Sequence, residues 1–160
     1  MKADGEIFGK LVDSLTLMLD FFGIHMSEDG TQFYRAPNYK ERYANLIKNK
    51  HNHLRISRII RSLGLLGLEY IQKPLLAFLI DEIFHTGELK DKNIVEACVN
   101  HWIMGVSMEG DRMELSERIR SHKARLRPDT HRMVGIGGEE DGVVAEGREG
   151  VAAGVMKDEK

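Results

Sequence analysis

The sequence predicts an all-α protein: an irregular bundle of five to six helices followed by a disordered C-terminal tail. Three observations carry that expectation. Apolar residues recur at three- and four-residue steps in successive segments between residues 6 and 126, the spacing that lines one face of a helix. Gly, Pro and Asn punctuate the gaps, where helices start and stop. After Pro128 the composition turns to Gly, Glu, Val and Ala without a period, and such a segment buries too little apolar surface to offset its ordering entropy. The expected organisation is a disordered N-terminus over residues 1–5, a helical domain over residues 6–127 and a low-complexity tail over residues 128–160.

Residues 6–22 place Ile7, Leu11, Leu15, Met18, Leu19 and Phe22 on one stripe, with Gly23 at the stop. Residues 24–37 lose that period and collect Ser27, Asp29, Gly30, Thr31 and Pro37. These are turn formers, and they predict a surface connection with Phe33 and Tyr34 turned inward. Asn38, three residues before Glu41, resembles a capping box and starts a short helix that turns Tyr39, Tyr43, Leu46 and Ile47 inward.

The stretch over residues 51–67 is amphipathic. Ile56, Ile59, Ile60 and Leu63 share one face and Arg55, Arg58 and Arg61 the other. Asn52 is placed to cap this helix, and Gly64 and Gly67 are placed to end it. Residues 68–72 then read as a bridging turn, with Pro74 at a first helical position, where its missing N–H costs nothing. The helix expected over residues 73–85 is apolar nearly all round, which calls for neighbours on several sides. Residues 93–106, capped by Asn93, carry Ile94, Val95, Cys98, Val99, Trp102, Ile103 and Val106 at helical spacing. A last helix over residues 112–126 has only Met113, Leu115, Ile119 and Leu126 to bury, an edge position.

Composition narrows the function classes. At 160 residues, 42% hydrophobic and 30% charged, the chain has the balance of one globular domain with a tail. The longest apolar run, residues 75–80, falls far short of the roughly 20 residues that span a bilayer, so membrane contact is expected to be peripheral at most. One cysteine, Cys98, permits neither an internal disulfide nor a cysteine zinc cluster. Residues 118–132 hold six bases against one acid, whereas residues 139–160 hold seven acids against three bases, so the two signs are segregated.

The candidate partner-binding residues are Arg55, Arg58 and Arg61, because guanidinium presents forked donors to carboxylate or phosphate. A solvated helix face competes with that reading, since charged outer faces are the rule in soluble domains. Nucleic acid is an unlikely partner, because exposed aromatics and a strongly basic balance are missing. No metal or cofactor is expected. His51 and His53 lie two apart and diverge on a helix, and no cysteine or acid cluster completes a shell. Residues 135–138 lack the Lys-Ser or Lys-Thr of a phosphate loop. No catalytic residue is expected either: Cys98 falls on an apolar stripe, and the adjacent Asp81 and Glu82 diverge by about 100° on a helix.

Four runs carry a likeness to a known family. They are Leu17-Met18-Leu19-Asp20-Phe21-Phe22-Gly23-Ile24, Arg42-Tyr43-Ala44-Asn45-Leu46, the stretch over residues 51–64, and residues 62–74 with Leu66-Gly67-Leu68-Glu69. Across roughly residues 6–125 the chain resembles the conserved domain of the opioid growth factor receptor family. The resemblance implies a non-enzymatic, largely helical domain in a family associated with binding the pentapeptide Met-enkephalin. It further implies a role in restraining cell proliferation from the nucleus and perinuclear membranes. The family's domain begins upstream with an aromatic-rich half containing a Trp-Leu-Phe-Pro type motif, and its Arg-rich run is diluted here into residues 108–127. The likeness is thus to the C-terminal part of the domain, as in a shortened isoform, a partial gene product or a diverged paralogue. With half a domain, the helix over residues 73–85 would lack partners, giving marginal stability or association through an apolar patch. The competing function is a nuclear helical scaffold whose basic faces bind acidic protein or nucleic acid with no peptide ligand.

Overall fold

The computed structural model describes residues 2–126, with side-chain surroundings from Gly5 onward; the tail expected over residues 128–160 lies outside them. Helix α1 runs Lys2–Phe21, so it begins inside the stretch expected to be disordered. The inward stripe is empty at first: Ile7 and Phe8 are 59% and 46% exposed, and burial begins at Leu15. Gly23 closes the helix at φ 80°. A Cβ there would stand 2.9 Å from the Arg42 Cβ and 3.0 Å from the Tyr39 Cα, so both conformation and space demand glycine.

Two short strands follow, β1 Ile24–Met26 and β2 Phe33–Arg35, paired antiparallel with His25 opposite Tyr34. The expected surface connection is therefore a hairpin. Three-residue strands are too short to show an alternating pattern, and only its turn chemistry was visible. Asp29 is the turn's organiser, accepting from Ser27 Oγ (2.6 Å), Thr31 N (3.0 Å) and Thr31 Oγ1 (2.8 Å). These bonds, that from Ser27 foremost, hold its carboxyl down at about 2. Phe33 is buried as expected, but Tyr34 is 51% exposed, because adjacent strand residues face opposite sides.

Helix α2, Tyr39–Lys48, buries Tyr43 and Leu46, and Asn38 makes no side-chain cap bond. Helix α3 runs His51–Leu65. Asn52 lies inside it and is buried rather than capping its start. Its end is a Schellman closure on Gly67 (φ 76°), with Leu68 N donating to Leu63 O at 2.8 Å. Gly64 is helical, and its role is contact: a Cβ there would stand 2.9 Å from Gln72 Nε2 and collide with Ser107 Oγ.

Helix α4 runs Glu69–Phe84, a turn earlier than the sequence predicted. Pro74 therefore sits within the helix instead of at its first position. Gln72, read as part of a turn, is fully buried and joins three elements. Its Nε2 donates to Ile60 O (2.6 Å) and Gly105 O (3.3 Å), while its Oε1 accepts from Ser107 N (2.9 Å). The all-round apolar character of α4 is matched by its surroundings: Leu75, Leu76, Leu79, Ile80 and Ile83 are all at most 1% exposed. The neighbours that half a domain was expected to lack are present, supplied by α3, β2 and the last helix.

The predicted helix over residues 93–106 is three pieces. Helix α5, Lys92–Ala97, is capped by Asp91, whose Oδ1 accepts from Asn93 N and Ile94 N at 2.9 and 3.2 Å; Asn93 is not the cap. A π-helical turn, Cys98–Trp102, and a 3-10 turn, Ile103–Gly105, follow. The widened turn seats Trp102 wholly inside, with Nε1 donating to His53 O at 3.1 Å. Helix α6, Glu109–Arg125, buries only Leu115 and Ile119 and lies against α4 as an edge element. No described helix is long and apolar enough to cross a membrane.

Candidate functional site

Helix α3 separates the chain's core from its cationic surface. Residues 39–65 carry seven bases (Lys40, Arg42, Lys48, Lys50, Arg55, Arg58 and Arg61) against one acid, Glu41. The ion pairs among the described residues lie elsewhere, chiefly Arg35 with Glu82, Lys73 with Asp111 and Glu114, and Arg118 with Asp81. Arg55, Arg58 and Arg61 are all exposed, as the helical period predicts.

The three arginines do not form one site. Arg58 lines a cleft of about 220 Å³ between α1 and α3. Leu11, Leu15 and Met18 form one wall, Ile59, Leu63 and Leu66 the other, and Leu68 the floor. Ser14 and Ser62 complete the lining, and Arg58 is its one charged side chain. Arg55 precedes Arg58 by one turn and, at 100° per residue, falls within about 20° of Ser62 and Leu66 around the axis. Its Nη1 donates to the buried Asn52 Oδ1 at 3.3 Å. Arg61 points about 140° away from Leu66, towards Gly105, where its Cγ approaches.

The cleft exists because α1 meets the body at its C-terminal half. Leu15, Leu19 and Phe22 are buried, whereas Leu11 and Met18 are half-buried and leave apolar surface facing α3. Sequence reasoning found both walls as helices but not that they face one another, because nothing in a single amphipathic stripe names its partner. A second concave surface, between α1 and the hairpin, contains Phe8, Val12, Met26, Tyr70 and the acids Asp13 and Glu28.

Other candidate chemistry is drawn apart or neutralised. His53 is buried with Nε2 3.0 Å from Leu46 O, while His51 is exposed; both border a concave surface shared with Asn93, Glu96 and His101. Among the described residues no group of three or more potential metal ligands converges. Cys98 is fully buried, and that burial pushes its thiol up to about 12. Asp81 and Glu82 diverge as expected. Glu82, buried on α4, takes a forked pair of bonds from Arg35 at 2.9 and 3.0 Å, tying the hairpin to α4. Asp81 faces α6 and accepts from Arg118 Nε (2.8 Å) and Nη2 (2.5 Å), with His122 Nε2 2.9 Å away. Burial acts to raise the Asp81 carboxyl, but the bonds from Arg118 and His122 outweigh it and hold it below its ordinary value.

The family pattern described as the opioid growth factor receptor (OGFr) conserved region matches residues 1–130. The opioid growth factor receptor of Homo sapiens is 38% identical over 115 residues, covering 71% of this chain and 17% of the relative. The Rattus norvegicus receptor is 36% identical over 115 residues, covering 71% and 20%. Opioid growth factor receptor-like protein 1 of Mus musculus is 30% identical over 121 residues, covering 76% and 26%. The matched stretch is thus about a sixth to a quarter of each relative's length. No solved structure matches the chain. With the pattern covering most of its length and including both walls of the cleft, the chain belongs to the opioid growth factor receptor family.

Proposed function

We propose that the chain is a receptor-like, non-enzymatic binding module whose ligand is a short opioid peptide, Met-enkephalin, received by the cleft between α1 and α3. One observation supports this above others: an open, almost wholly apolar recess flanked by cationic surface. Apolar clefts with few polar groups are the usual form of small-ligand sites. In this reading the protein restrains cell growth from the nucleus and the perinuclear membranes. Calorimetric titration of the full chain with Met-enkephalin tests the binding. Saturable one-to-one heat, abolished by Leu11→Glu or Met18→Glu with the thermal melt preserved, supports it; absence of heat from the parent chain refutes it.

A second reading is favoured by the seven bases of residues 39–65, none of which pairs with a described carboxylate. Here the chain is a nuclear scaffold that docks acidic protein, or less readily nucleic acid, on α2 and α3. Salt-sensitive retention on an acidic partner, lost when Arg55, Arg58 and Arg61 are all changed to Glu, together with no peptide heat, would select it.

A further inference from the structure

The cleft is too small for a whole pentapeptide. Its 220 Å³ falls below the roughly 300–1,000 Å³ of pockets that engulf a drug-sized ligand. It has room for one or two side chains, so only one end of a short peptide enters. We infer that this is the C-terminal end, and that Arg58 selects peptides whose apolar last residue carries a free α-carboxylate. The inference rests on the peptide-binding reading above and specifies which chemical group that site recognises.

Four features on the molecule lead to this assignment. The recess itself is apolar, which suits the last side chain and repels a charged one. Its only charged lining residue is a cation, so an N-terminal ammonium would meet repulsion where a carboxylate meets a forked donor. Arg58 forms no ion pair with a described carboxylate, so its donors are not already engaged by one. Arg55, one turn before Arg58, lies outside the lining, its Nη1 turned back to Asn52 Oδ1 at 3.3 Å, so Arg58 is the guanidinium at the cleft. Ser62 adds a hydroxyl to the lining. Arg61, turned towards Gly105, has no part in it.

The test is fluorescence polarisation of the full chain against Met-enkephalin as free acid and as C-terminal amide, both labelled at the N-terminus, at fixed low salt. The parent should bind the acid about tenfold or more tightly than the amide, the factor expected of a charge-assisted hydrogen bond. Arg58→Gln should bring the acid down to the amide's affinity while leaving the amide unchanged, which also shows that the variant is folded. Arg61→Gln should change neither. Acid and amide binding within twofold of each other, or Arg58→Gln weakening both equally, would overturn the carboxylate inference and leave peptide binding standing. Failure of the parent to bind either form overturns both.

Discussion

Gln72 offers a quantitative test of how the cationic helix is held. Its amide joins α3, the 3-10 turn and the residue that leads into α6 through bonds to Ile60 O, Gly105 O and Ser107 N. Changing it to Leu keeps similar bulk and removes all three. Ile60 O also lies within the α3 ladder, and Ser107 is exposed enough for water to approach, so the loss is below three full desolvation penalties. At roughly 1 kcal/mol per net hydrogen bond, and 1–3 for a buried group left unpaired, Gln72→Leu should cost about 3 kcal/mol. For a body of this size that corresponds to a melting shift of about 10 °C. Urea and thermal unfolding followed through Trp102, the only tryptophan and fully buried, would measure it. Gln72→Glu extends the test, because its second oxygen would face carbonyl oxygens. The folded pKa of that carboxyl would lie above its unfolded value, so the variant should be more stable at pH 4.5 than at pH 7, relative to Gln72→Leu. A Gln72→Leu chain within 0.5 kcal/mol of the parent would refute the bridging role.

Three further outcomes are expected. Arg35→Ala strands the Glu82 carboxylate, 5% exposed, without its cation; a loss of about 3–5 kcal/mol is expected, read by urea titration, and a change below 1 kcal/mol would count against the pairing. The Asp81 carboxyl is held below its ordinary value of 3.8, so its contribution is complete above that pH and lost as pH falls through the folded value. The parent should therefore lose more stability between pH 4 and 2 than Asp81→Asn, and equal acid sensitivity would contradict the Arg118 and His122 contacts. Cys98, with a thiol pushed up to about 12 by burial, should resist a thiol reagent at pH 8 in native buffer and react at once in denaturant.

The parts of the fold that announce themselves in sequence are those whose burial repeats over several turns. Leu15, Leu19 and Phe22 mark one such stripe, Ile56, Ile60 and Leu63 another, and the run through Leu75, Leu79 and Ile83 a third. The failures have specific physical causes. A three-residue strand offers no period. Gly64 looked like a helix stop because glycine often is one, whereas its packing against Ser107 and Gln72 depends on chain 8 to 43 residues further on. The π-helical turn at Cys98–Trp102 shifts the face of a helix that reads as regular. At the candidate site, exposure of Arg55, Arg58 and Arg61 was legible from the helical period. That Arg58 alone of the three lines the cleft was not, because it depends on where α1 lies.

Helix α3 is fastened from behind by its own backbone. His53 O takes the Trp102 indole and Ile60 O takes the Gln72 amide, while Ile56, Ile60 and Leu63 are sealed in the core. None of these attachments uses the side chains at positions 55, 58 and 61. Substitutions at 58 and 61 can therefore alter charge, reach and hydrogen-bonding character at little cost to folding, whereas Arg55 also holds the buried Asn52 side chain. Surface chemistry and structural integrity are thus separable at those two positions.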